Sequence, residues 1–81
     1  MLSELTSRNK IVGIKQLRKA LKENRAEKVF IAMDADPALT EPMIEACCAG
    51  NVPVETVNTM QELGKACEIE VGAAVAALLR N

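Results

Sequence analysis

The run Lys28-Val-Phe-Ile-Ala-Met33 constrains the fold more than any other stretch of the chain. Its β-branched and apolar side chains follow one another without alternation, and successive side chains of a strand point to opposite faces. Such a strand is stable only in a sheet that is covered on both sides. The remaining sequence must therefore supply covering helices and neighbouring strands. Behind Gly13, residues Ile14, Leu17 and Leu21 fall on one side of a helix, while Lys15, Arg18, Lys19 and Lys22 fall on the other. This helix is expected from Ile14 to about Asn24, where asparagine can end it. Asp34-Ala-Asp-Pro37 reads as a turn. A second helix is expected from Thr40 to Ala49, with Pro42 in its first turn and Gly50 placed to end it. Val54-Glu-Thr-Val57 reads as a strand, and Thr59-Met-Gln-Glu62 as a capping box that opens a helix through about Cys67.

Pattern alone leaves two stretches open. Lys10-Ile-Val12 can pair as a short strand, preceded by a helical turn in the first residues. Ala73-Ala-Val-Ala-Ala-Leu-Leu79 is rich in helix formers, yet an apolar run behind a glycine also fits a buried strand. Strands alternating with helices of roughly ten residues decide for the strand and imply βαβ units. The expected fold is α/β, a three-layer α/β/α sandwich around a small mixed four-stranded sheet. Residues 1–81 make one domain, because a chain this short buries only about 60% of its unfolded surface, around a single core.

Composition narrows the chemistry. The chain has no histidine, tryptophan or tyrosine. Without histidine there is no Ser-His-Asp or Cys-His catalysis, and the commonest transition-metal ligand is missing. Phe30 is the sole aromatic residue, so bases cannot be stacked on an aromatic platform. Three cysteines, two of them adjacent (Cys47, Cys48 and Cys67), make neither a disulfide framework nor a zinc cage, and are expected in the core. No cofactor or metal is expected. No apolar run reaches the ~18 residues of a membrane span, and Met1-Leu-Ser-Glu-Leu5 lacks the shape of a signal peptide. A cytoplasmic protein without a membrane partner is the expectation, and a monomer.

The net charge of −1 conceals an asymmetry. Through Lys28 the chain carries eight cations against three acidic residues, and beyond it two cations against eight. Two opposed halves point to a localised electrostatic footprint. Gly13 lets the chain turn tightly into a helix whose first amides are unpaired, a ready place for a phosphate or a base carbonyl. Lys15 and Gln16 follow at once, and Lys19 lies one turn on. Two cations and an amide can read both backbone and base edges. A plain solvated helix face is the competing reading. Asp34-Ala-Asp36 sits where certain phosphatases carry a nucleophilic and an acid/base aspartate. The later strands lack the further ligands such an enzyme needs, so the two aspartates are assigned to the turn and no enzyme is expected.

Val12-Gly-Ile-Lys-Gln-Leu-Arg-Lys-Ala-Leu21 resembles the G-x-K-Q-x-x-K-x-[LI] segment of the kink-turn-binding ribosomal L7Ae/L30e superfamily. Lys28-Val-Phe-Ile-Ala-Met-Asp-Ala-Asp-Pro37, Gly50-Asn-Val-Pro-Val54 and Glu62-Leu-Gly-Lys-Ala-Cys67 agree with it in order and spacing. The last of these, with Ile69-Glu-Val-Gly-Ala73, is similar to the short bacterial members, the YbxF type. The resemblance implies a binder of kink-turn or kink-loop RNA, in ribosomal RNA, a riboswitch or another structured RNA, with the ribosome as one possible partner. It places Gly13, Lys15, Gln16 and Lys19 at tandem sheared G·A pairs, and Asp36 near a flipped-out nucleotide. Ile69, Glu70, Val71 and Gly72 would form a loop that packs on the bases beyond the kink. Archaeal and spliceosomal relatives have Asn-Glu where this chain has Lys15-Gln16. Many relatives have glycine in place of Glu68 and lysine in place of Met60, changes expected to weaken binding without abolishing it. An interaction scaffold that keeps the fold without the RNA site is the alternative.

Overall fold

The computed structural model describes residues 9–80. In chain order the elements are β1 (Lys10–Val12), α1 (Ile14–Lys22), β2 (Ala26–Ala32), α2 (Pro37–Ala49), β3 (Val54–Val57), α3 (Met60–Ala66) and β4 (Val75–Leu79). The helical turn expected in the first residues lies outside those described. The four strands form one mixed sheet in the order β1-β4-β2-β3. The last strand is thus an inner one, antiparallel to β1 and to β2, while β2 and β3 are parallel and joined through α2.

The period of two along the inner strands builds both cores. Val29, Ile31, Val75 and Ala77 face α1 and α2, where they pack with Leu17, Ala20, Met43 and Cys47. Phe30, Ala32, Ala76 and Leu78 face α3, where they pack with Leu63 and Cys67. Phe30, Leu17, Leu63 and Leu78 are each fully buried, and each such side chain stabilises the fold by roughly 1.5–3 kcal/mol. The result is the three-layer sandwich. The ambiguous segment near residue 75 is a strand because its alternate side chains are needed in two cores at once.

Several boundaries differ from the sequence reading, for local reasons. The second helix starts at Pro37, not Thr40. Asp36 is its N-cap, with the Ala38 N–H donating to the Asp36 carboxylate at 2.9 Å, and proline at the first helical position has no N–H to leave unsatisfied. Pro42 consequently lies inside the helix, not in its first turn. The strand expected over 28–33 begins at Ala26 and ends at Ala32, so Met33 falls outside it and is 66% exposed. The first helix ends at Lys22, and the chain turns through Asn24 in the left-handed region, at φ 57°. Of the expected capping box the N-cap half forms, the Glu62 N–H donating to Thr59 Oγ1 at 3.0 Å.

Cys47 and Cys67 are buried, and burial pushes both thiols above their ordinary pKa, keeping them protonated and unreactive. Cys48, expected in the core, is exposed. It follows Cys47 on a helix with a single buried face.

Candidate functional site

β4 runs opposite to the other three strands, so the C-terminal ends of β1, β2 and β3 meet the N-terminal end of β4. Open α/β sheets present ligands at such carboxyl ends. Backbone hydrogen bonds hold the connecting segments together there. The Gly13 N–H donates to Val75 O at 3.1 Å, Ala32 N–H to Ala74 O at 2.9 Å, and Met33 N–H to Val57 O at 2.7 Å. All three helices of the described residues begin at this end of the sheet.

Among the described residues, side chains close two of the three helix N-termini and leave one open. Asp36 caps α2, and Thr59 caps α3. Asp34 adds a long tie, its Oδ1 accepting from the Met60 N–H at 2.7 Å across 26 positions of sequence. Among the described residues, no side chain caps α1. The Leu17 N–H, donating to Gly13 O at 3.0 Å, makes the first helical bond. The amides of Ile14, Lys15 and Gln16 come before it and find no partner within the helix, so they carry the positive end of the helix dipole. Gly13 has φ 108°, a backbone conformation L side chains rarely adopt.

The side chains sort by helix period. Leu17 and Ala20 are buried and Ile14 and Leu21 half-buried, whereas Lys15, Gln16, Arg18, Lys19 and Lys22 are exposed. The cations form one continuous ridge, with neighbours three and four positions apart.

Asp36 and the segment 69–72 come to the same end of the sheet as Gly13, Lys15 and Gln16, with Lys19 one turn along α1. The loop is less uniform than its sequence suggests. Val71 is 71% exposed, and Glu70 and Gly72 are exposed. Ile69 is half-buried against the α3-side core, so its apolar surface is shared between that core and the outside. Gly72 lies against Met60, where an added Cβ would stand 3.1 Å from the Met60 Cβ. Its lack of a side chain therefore serves packing against α3. Glu68 stands at φ 64°.

Asp34 is the residue whose part the sequence reading missed. Weighed for catalysis and for a turn, it is a helix cap supplied from a distant segment. A partner 26 residues away leaves no local signal. Both aspartates of Asp34-Ala-Asp36 thus accept backbone hydrogen bonds that fix α2 and α3.

The sequence model of the family described as "Ribosomal protein L7Ae/L30e/S12e/Gadd45 family" matches residues 2–81. An RNA-binding protein of Geobacillus sp. is 50% identical over 70 residues, which are 86% of this chain and 85% of that protein. The RNA-binding protein YbxF of Geobacillus stearothermophilus is 49% identical over 70 residues, with 86% and 85% covered. Among solved structures, the 15.5 kD RNA-binding protein of Giardia lamblia superposes with a TM-score of 0.85 at 28% identity, covering 99% of this chain and 66% of that one.

Proposed function

This chain belongs to the ribosomal protein L7Ae/L30e/S12e/Gadd45 family, and from that premise we propose that it is an RNA-binding protein that recognises and stabilises a kink-turn or kink-loop. The observation that carries the reading is the open N-terminus of α1, with Lys15, Gln16 and Lys19 exposed beside it. Unpaired amides, two cations and an amide side chain are suited to the edges and backbone of sheared G·A pairs. Asp36 and the loop 69–72 come to the same end of the sheet, where a flipped-out nucleotide and the bases beyond the kink would lie in the proposed complex. Family membership and the RNA-binding relatives support the assignment.

The proposed mechanism is a shift of population and involves no catalysis. A free kink-turn exchanges between extended and bent forms, and a protein that contacts the bent form alone favours it by its binding free energy. No helix among the described residues is long and apolar enough to cross a membrane. We assign the protein to the cytoplasm as a monomer, meeting its RNA in ribosomal RNA, a riboswitch or another structured RNA. The deciding experiment is a gel shift with a kink-turn beside the same duplex carrying Watson–Crick pairs in place of the sheared G·A pairs. Strong preference for the kink-turn is expected. Equal affinity would favour an interaction scaffold.

A further inference from the structure

Gly64 occupies the interior of α3, a helix of seven residues in which a glycine weakens the helical conformation. Its surroundings explain the choice. A Cβ built on Gly64 would overlap the carbonyl oxygen of Val71 and stand 3.1 Å from the Gly72 Cα. The backbone of the loop before β4 therefore lies directly on the helix, where a side chain is missing. Hydrogen bonds fasten it on both sides of that point. The Ile69 N–H donates to Gly64 O at 3.1 Å, and the Ala73 N–H to Met60 O at 2.9 Å. One turn of α3, from Met60 to Gly64, is thus a seat for the loop, and α3 is itself held to the end of β2 by Asp34. What the seat presents is Val71, an apolar side chain left 71% exposed.

Resting on the RNA reading above, we infer that Gly64 is a positioning residue of the RNA surface. Buried and out of reach of the RNA, it sets the height at which Val71 meets the bases. Any side chain at 64 would lift the Val71–Gly72 peptide off the helix. Contact between apolar atoms falls steeply with distance, a gap of about 0.5–1 Å forfeiting a quarter to a half of the attraction. A small displacement of the seat therefore reaches the RNA as lost affinity.

The test measures kink-turn affinity for four variants, each held well below its own melting temperature. Gly64→Ala is expected to weaken binding about fourfold, no more than Val71→Ala does by itself. Leu63→Ala, which removes a fully buried side chain of the same helix but leaves the glycine at the loop's seat, is the control for lost stability. It should lower the melting temperature at least as much and leave the affinity of the folded protein within about twofold. In a Val71→Ala background, Gly64→Ala should cost less than about twofold further, because the contact it positions is already gone. Should Gly64→Ala fail to fold, Gly72→Ala presses on the same seat through Met60 and should give a smaller loss, likewise absent in the Val71→Ala background. Losses that add in full to that of Val71→Ala, or a Leu63→Ala loss equal to that of Gly64→Ala, would overturn the inference. If the wild-type protein does not distinguish the kink-turn from its Watson–Crick counterpart, it is the RNA reading that fails.

Discussion

The segment from Gly13 to Lys19 and the loop from Glu68 to Gly72 stand at the same end of the sheet, but they are built differently. The first is cationic and polar, its amides freed by the geometry of a helix start, and among the described residues nothing beyond the chain neighbours lies within 4 Å of the place a Gly13 side chain would take. The second is acidic and apolar, and its backbone is pressed against another element. The contrast assigns different forces to the two regions. Charge at α1 acts over a distance and fades with salt. Apolar packing at the loop acts at contact and depends little on salt. In the proposed complex, phosphates and base edges fall to the first region and unstacked bases to the second.

The largest expected effect tests the cationic end. Lys15→Ala and Gln16→Ala should each weaken RNA binding by about 1–3 kcal/mol. The melting temperature should hold, because both side chains are exposed and point away from the buried Leu17 and Ala20. The salt dependence belongs to the same end. With few phosphate contacts the log–log slope should be roughly −2 to −4, and Lys19→Ala should make it shallower by about 1. A slope near zero, or one as steep as about −8, would contradict this division of labour.

Next comes the apolar end. Val71→Ala should weaken binding by about 1 kcal/mol at every salt concentration, with no change in slope. Ile69→Ala should instead act mainly on stability, since that side chain already leans on the core. If Val71→Ala changed the slope, the loop would be electrostatically coupled to the RNA and the contrast would break.

The smallest expected effect is at Glu68. Asn24, Asn51 and Glu68 are the non-glycine residues at positive φ among those described, and asparagine tolerates that conformation far better than glutamate. Strain of about 1–2 kcal/mol is partly offset in a glycine variant by the greater freedom of the unfolded chain. Glu68→Gly should therefore stabilise the fold by a few tenths to about 1 kcal/mol, whatever the salt. Separately, loss of a negative charge should tighten RNA binding by a few tenths of a kcal/mol at low salt and by less at high salt. A rise in melting temperature without a gain in affinity would mean that the glycine common at this position in relatives serves the backbone alone.

How far the sequence could be read depended on the range of each interaction. Thr59 and Glu62 signal a helix start to each other across three residues, and Gly50 ends α2 where expected, so both were visible. The unbroken apolar run around Phe30 announced a strand with two covered faces. Asp36-Pro37 carries two meanings, turn and helix start, and the structure uses the second. The cations of α1 could be placed because a helix has a fixed period and Leu17 marks its buried side. The loop could not be resolved to single residues in that way. Ile69 and Val71 look alike in sequence, and what separates them is the backbone at Gly64 and the cap from Asp34, contacts made by distant segments after folding.

The position of β4 in the sheet has a consequence in time. As the last strand among the described residues, it lies between β1 and β2 and hydrogen-bonds to both. Until it threads between them, β1 has no neighbour and β2 lacks one of its two. During synthesis the earlier segments would leave the ribosome unable to complete either core, and contacts this distant in sequence are slow to form. The Gly13 amide, too, waits for Val75 as its acceptor. Neither end of the proposed RNA surface is in place before β4 closes the sheet, and both appear together when it does.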